Sequence, residues 1–423
     1  MRSRLLRLLR TLGPGLITGA ADDDPSGIAT YSQAGAQFGY QLLWTMLWTY
    51  PLMVVIQGIC ARIGRTTGRG IAANLRAEYS PSLLYATVAA LFVANICNIG
   101  ADLGAMAESA RLLVPGLPTA AYVIGFGLVC AAGQIFLHHA RYVAVLKWLT
   151  LSLFAYFAAL GIVQVQWPVL ARNLLWPHFA TTGAFWLMVV AVLGTTISPY
   201  LFFWQTSEEV EDTRVTPVKR PLRHAPAQAK KELARIRVDT LIGMGLSNLV
   251  AVAIMATTAA TLHAHQATSL DTAAQAAQAL RPLAGRYASA LFTVGIIGTG
   301  LLAVPVLAGS AAYALGEARR WPVGLARAPR AARAFYGTIA VATAAGAVAT
   351  ALGISPMQAL VWAAALNALV ASPIMCLVMR LASSRKVMAG FTIGGAWLAL
   401  GWCATGVMAV ASVAYLVSWL RGH

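Results

Sequence analysis

Charge is what this sequence has least of. Only 11% of its 423 residues are Asp, Glu, Lys or Arg, and just 14 are acidic. A soluble domain carries about a quarter charged residues, so a soluble globule of this length is excluded for want of polar surface. Cysteine is scarce too. The five (Cys60, Cys97, Cys130, Cys376, Cys403) lie in or beside apolar segments without a CxxC pair, which excludes a disulfide framework and a zinc site. HExxH, GxSxG and a Gly-rich phosphate loop are missing, and the glycines of TGAADDDPSG (18–27) do not have nucleotide-binding spacing. The chain is therefore read as no enzyme, with no resident cofactor. Of seven histidines, only His138 and His139 approach an apolar stretch, so any proton relay inside it must use carboxylates.

What is abundant is apolar: 59% of the residues are hydrophobic and the mean hydropathy is +0.69. Lipid must solvate the exterior, and at roughly 20 apolar residues per crossing the length fits about ten to twelve helices. Eleven spans are expected, over 14–36, 41–63, 83–113, 119–138, 146–166, 182–206, 237–262, 287–316, 335–353, 356–380 and 390–419. The opening MRSRLLRLLRTLGPGLITGA starts like a signal peptide, but Gly13, Pro14 and Gly15 break its short apolar part. It is read as a cytoplasmic arm entering the first span. The net charge of +17 would suggest nucleic acid in a soluble protein. Here 26 of the 31 basic residues fall in segments on one side of the eleven spans, as cytoplasmic loops require. The expectation is a multi-pass protein of the cell (plasma or inner) membrane with a cytoplasmic N-terminus and no nucleic-acid partner. The most polar stretch, 207–237, reads as a solvated cytoplasmic connector, with a regulatory or lipid-headgroup role as the alternative. The outside loop 263–286 holds no site.

Two spans are interrupted. Pro25 and Gly27 break the first, and Gly194 and Pro199, in VLGTTISPYLFFWQ, break the sixth. Broken helices at matching places, five spans apart, point to an inverted-repeat transporter with its site at mid-membrane. The fold expected is all-α and polytopic, a 5+5 inverted repeat with discontinuous helices 1 and 6 and about 11 transmembrane helices, which the resemblance given below makes LeuT-type. It forms one transporter domain over 1–423: a first repeat over 14–166, a second over 182–380, and an extra helix over 390–419.

Asp22, Asp23 and Asp24 sit at the first break. A carboxylate in hydrocarbon costs at least ~2.5 kcal/mol, and on a regular helix three in a row would point three ways. An unwound segment lets them converge and frees backbone carbonyls. Carbonyls and carboxylates are hard oxygen ligands for a cation. The N-terminus of the following half-helix would draw an anion instead, and Asp24 beside Pro25 can serve that end as well. Such a triplet is not fully ionised without a cation and titrates as a coupled set, a route to exchanging protons for metal. Further membrane-embedded polar residues are Asp102 and Glu108 on the third span, Asp239 and Glu317 near span ends, and the mid-span amides Asn248 and Asn367. Asn248 is expected to bond a neighbouring helix.

The run GPGLITGAADDDPSGIATYSQAGAQFGYQLLWTM resembles the start of the Nramp (natural resistance-associated macrophage protein) family. The resemblance continues through QGICARIGRTTG (57–68), GADLGAMAES (100–109), 237–262, 290–315 and 365–390. It implies a divalent-metal transporter of LeuT type, with metal ion and possibly protons as its passengers. The family's first-span pattern Asp-Pro-Gly-Asn becomes Asp24-Pro25-Ser26-Gly27, which keeps the acid and loses the amide. Its sixth-span Met-Pro-His becomes Ser198-Pro199-Tyr200, which loses the thioether. The carbonyl-donating positions fall on Ala21 and Thr195. Asp102 matches a proton-path acid, and a following Glu is Ala105. The implied metal set is Asp24, Ala21, Gly27, Thr195 and Ser198, with Asp22, Asp23, Asp102, Glu108, Tyr200 and Asn367 as further metal or proton-path candidates. A thioether favours soft metals, and a hydroxyl with extra aspartates does not. The site is therefore expected to be harder, Mg-like or broad in selectivity, resembling the family's magnesium-transporting branch. Two alternatives remain: a LeuT-fold carrier of a small organic solute, with room freed at Gly27 and Ser198 and aromatics Tyr200, Phe202, Phe203 and Trp204 as lining, and a non-transporting membrane sensor.

Overall fold

A computed structural model describes residues 18, 19, 21–136, 154–216 and 218–420. The N-terminal arm, Ala20, residues 137–153 (with His138, His139 and the first part of the fifth span), Pro217 and the last three residues lie outside the described residues.

Within them every regular element is helical. The long helices are α1 (Pro25–Phe38), α2 (Leu43–Thr67), the short α3 (Ile71–Glu78), α4 (Pro81–Leu113), α5 (Thr119–Phe136), α6 (Ala155–Leu160) and α7 (Trp167–Leu175). They continue as α8 (Gly183–Thr196), α9 (Pro199–Val215), α10 (Ala229–Thr261), α11 (Ala288–Arg319), α12 (Arg333–Ala349), α13 (Pro356–Ser383) and α14 (Gly395–Leu420). The sequence states where several begin. Asp24, Ser80 and Thr182 each cap a helix with a side-chain oxygen, and proline takes the next position in the first two cases, where its missing N–H is no loss. Among the described residues nine helical segments are long and apolar enough to cross a bilayer. The first span is cut short by its break, and the fifth is described only in part.

The interior is built around the two broken spans. α1 packs on α10 and α9 on α2, while α8 lies along α13 and α4 along α11. The exchange of partners between spans 1 and 7 and spans 6 and 2 is what an inverted repeat produces. Gly194 permits the tightest of these approaches, since a β-carbon there would run into the Ala364 backbone of α13. The largest fully buried side chains include Trp204, Tyr31 and Tyr200 beside the breaks, and also Arg65.

Arg65 belongs to a correction. The stretch 207–237 is not a solvated connector: α9 runs on to Val215, α10 begins at Ala229, and only the short link between them is free of either helix. Glu208, Glu209 and Glu211 are buried. Arg235 grips Glu209 at 2.6 Å and Glu232 at 3.0 Å, Lys219 holds Asp212 at 2.6 Å, and Arg65 reaches Glu232 at 3.5 Å. Buried charges persist only when paired, and acids and bases far apart in sequence pair here across α2, α9 and α10. Asp239 joins the same group, 3.8 Å from Arg235. Glu317 instead accepts the Gly70 and Ala73 amides, each at 3.1 Å, and fastens the start of α3.

Candidate metal site

Thr18, Gly19, Ala21 and Asp22 are helical, Asp23 and Asp24 are not, and α1 starts afresh at Pro25. Asp24 closes the new helix by accepting the Gly27 amide on Oδ1 at 2.7 Å. The sixth span repeats the arrangement, with Ile197 and Ser198 between α8 and α9. The two breaks face each other. The Tyr200 hydroxyl, from the first turn of α9, donates to the Ala21 carbonyl at 3.0 Å and to Asp24 Oδ2 at 3.3 Å. Farther along, Thr18 donates to Gln205 of α9. Ser26 reaches the Leu360 carbonyl of α13 at 3.3 Å.

The aspartates divide. Asp24 turns toward the sixth span, whereas Asp22 and Asp23 turn toward α10, where the Ser247 hydroxyl lies 2.7 Å from Asp22 Oδ2 and 3.0 Å from Asp23 Oδ1. One hydroxyl carries one proton and serves one of these carboxylates at a time. Nothing in the sequence marks Ser247, whose neighbour Asn248 is the more conspicuous polar residue. Only the helical phase of α10 distinguishes the two, and Ser247 is the buried one. Asp102, on α4, is fully buried, within electrostatic reach of Asp24 and of the Ser26 backbone amide at the start of α1.

Other candidates are placed differently. Ser198 turns its hydroxyl back on its own helix, donating to the Gly194 carbonyl at 2.6 Å and the Thr195 carbonyl at 3.0 Å. Its oxygen and that of Thr195 keep lone pairs, but both are already engaged. Gly27 offers only its amide, and the space around it is not open: a β-carbon would lie 3.2 Å from Thr195 Oγ1 and 3.3 Å from both the Asp22 carbonyl and the Tyr31 ring. Glu108 accepts the Ala273 amide at 2.9 Å in the segment after α10, away from the breaks. Asn367 pairs with Asn98 of α4, each amide donating to the other at 2.9 and 3.2 Å, a helix-to-helix clasp. Phe202, Phe203 and Trp204 are buried in packing. A cavity of about 640 Å³, lined by Cys97, Gly104 and Trp362, opens between α4, α5 and α13 without any residue of the breaks.

Among the described residues no three His, Cys, Asp or Glu side chains converge as a ready-made metal cage. The arrangement instead offers one carboxylate, Asp24, with backbone carbonyls and hydroxyls: hard oxygen donors brought together by two helix breaks. Such a set suits a hard or borderline cation whose remaining positions are taken by water.

The profile of the family described as natural resistance-associated macrophage protein-like matches residues 15–418. Among similar proteins, the divalent metal cation transporter MntH of Deinococcus radiodurans is 28% identical over 307 residues, which span 70% of this chain and 66% of that one. The MntH of Acidiphilium cryptum is 27% identical over 408 residues, 92% of this chain and 88% of its own. Among solved structures, the manganese transporter of Eremococcus coleocola superposes with a TM-score of 0.77 at 18% identity, covering 99% of this chain and 87% of that one. Mhp1, a nucleobase-cation-symport-1 family transporter, gives 0.62 at 13% identity over 96% and 90%. At these identities the superpositions speak for the fold, a LeuT-type arrangement of broken helices.

Proposed function

The chain belongs to the Nramp family, and from that premise we propose that it carries a divalent metal cation across the cell membrane by alternating access. The observation that bears most weight is the meeting of Asp24 Oδ2, the Ala21 carbonyl and the Tyr200 hydroxyl where the two broken spans touch. Asp24 anchors the ion. The Ala21 and Thr195 carbonyls and the Ser198 oxygen complete the protein's share of the shell, and Gly27 contributes through its amide to Asp24 alone. Tyr200 is a competitor for this site: its O–H is directed at the two oxygens the ion needs, so binding turns it away.

The groups that the hydrogen bonds bring to this point are oxygens: Asp24 Oδ2, the Ala21 carbonyl and the Tyr200 hydroxyl. Oxygen donors alone do not single out Mn²⁺ or Fe²⁺ against the abundant Mg²⁺ and Ca²⁺, so the site is hard and broad in selectivity. Asp22 and Asp23, sharing Ser247, and Asp102, buried within electrostatic reach of Asp24, are the proton acceptors that couple ion movement to a pH gradient. The packed surroundings of Gly27 weigh against an organic solute, for which the lost asparagine would have had to leave space. The N-terminus is cytoplasmic, in keeping with the distribution of basic residues.

The test is flux into proteoliposomes of purified protein for Mg²⁺, Ca²⁺, Mn²⁺, Fe²⁺ and Co²⁺, with and without an imposed pH gradient. Uptake of several of these, Mg²⁺ included, and acceleration by an inward proton gradient are expected. Strong preference for Mn²⁺ over Mg²⁺ defeats the hard-site reading, and no uptake of any defeats the transport reading.

A further inference from the structure

The end of α11 and the start of α4 enclose a cleft of about 310 Å³ that the transport site does not use. Arg76 of α3 and Arg319 and Arg320 of α11 converge on it, together with Tyr79 and Tyr85. No acid is among the residues that line it, and the two nearest already have partners. Both carboxylate oxygens of Glu317 accept backbone amides, and Glu78 pairs with Lys386 at 3.0 Å. Arg76 donates to the Glu317 carbonyl, and Arg319 stacks over the Tyr85 ring, 5.4 Å from its centre. The guanidinium groups crowd one another: burial and then the charge of Arg320 pull Arg76 below the usual arginine range, Glu317 opposes them in part, and Arg69 adds a smaller push downward. Arg320 is held at φ +62°, a helix-ending conformation that favours glycine.

A basic residue at a helix C-terminus complements the helix dipole, but that accounts for Arg319 and Arg320 and not for Arg76, which a different helix delivers to the same point. The level of the cleft is informative. It lies where two membrane-crossing helices end, at Pro81 and Arg319, and the exposed apolar side chains of Leu83 and Trp321 flank it. Basic pockets with tyrosines at such a boundary fit lipid phosphates.

We propose that Arg76, Arg319 and Arg320 form a seat for the phosphate of an anionic membrane lipid, whose acyl chains run past Leu83 and Tyr85 along α4. The seat makes one copy of the protein prefer an anionic over a zwitterionic neighbour at this point of its rim, and it is independent of which ion is carried.

The test uses the delipidated full-length protein in neutral detergent, with phosphatidylglycerol binding followed by native mass spectrometry against phosphatidylcholine. The exposed arginines are replaced singly and together, as Arg319→Gln and Arg320→Gln, and Arg76 is kept because it also holds a backbone carbonyl. Each replacement is expected to weaken phosphatidylglycerol binding about fivefold and to leave phosphatidylcholine binding unchanged. Arg330→Gln, an exposed arginine away from the cleft, is expected to change neither, and unfolding midpoints check that the variants fold. Unaltered phosphatidylglycerol binding in the double variant overturns the proposal. So does an equal loss in Arg330→Gln, which would make the effect one of net charge, or full displacement of the lipid by millimolar inorganic phosphate, which would assign the seat to a soluble anion.

Discussion

Replacing Tyr200 by phenylalanine removes one oxygen and leaves the ring where it packs. That oxygen donates at 3.0 Å to the Ala21 carbonyl and at 3.3 Å to Asp24, the two groups proposed to grip the ion, and the side chain is fully buried. A hydrogen bond to a charged acceptor contributes about 1.5–3 kcal/mol. The longer, shared geometry here places this one near the lower end. A cation must displace the bond before it can use either oxygen, so Tyr200→Phe is expected to tighten cation binding by about 1.4 kcal/mol, roughly tenfold. Without a cation the same variant removes the one proton that the Ala21 carbonyl and Asp24 Oδ2 share, at a stability cost of about 1–3 kcal/mol. The thermal shift on adding cation should therefore be larger than in the parent protein. The assay is calorimetric titration of purified protein with Mg²⁺ and Mn²⁺ at one pH, with the unfolding midpoint followed in parallel. Weaker binding of both ions would make the tyrosine oxygen a ligand and refute the competitor role. Unchanged binding would put the ion somewhere other than between Ala21 and Asp24.

Asp24→Asn keeps the cap on the Gly27 amide but removes the charge. Transport should fall at least ~100-fold, the loss of a desolvated charge contact, with little change in unfolding midpoint, and near-normal uptake would rule out Asp24 as the anchor. Asn367→Leu leaves Asn98 Oδ1 without its donor, while Asn98 Nδ2 keeps the Ala94 carbonyl, and should destabilise by about 1 kcal/mol without moving cation affinity in the same titration; a drop in affinity would restore Asn367 to the site. Arg65→Met leaves Asp212 and Glu232 with fewer partners in a buried group and should cost about 3 kcal/mol in thermal unfolding. An unaltered midpoint would mean that the network is solvated after all.

Much of this architecture is legible in the residues. Apolar stretches of the right length, the proline and glycine of each break and the one-sided arginines suffice for the spans and for the place where the two halves meet. What is hidden is orientation. At an unwound turn no periodicity says which way a side chain points, so Asp22, Asp23 and Asp24 look equivalent until α10 claims two of them through Ser247. The acids at 208–212 look solvated because composition cannot reveal that arginines at 65 and 235 will arrive beside them. Each miss is a contact between distant parts of the chain, which local pattern does not encode.

The crowding at Gly27 carries its own lesson for redesign. A β-carbon there would stand 3.2–3.3 Å from Thr195 Oγ1, the Asp22 carbonyl and the Tyr31 ring, tight contacts to which those neighbours must yield before a larger side chain can be seated. Restoring the family residue is therefore a concerted problem: the wall opposite must give way in the same step, and an isolated back-replacement tests the packing as much as the missing donor.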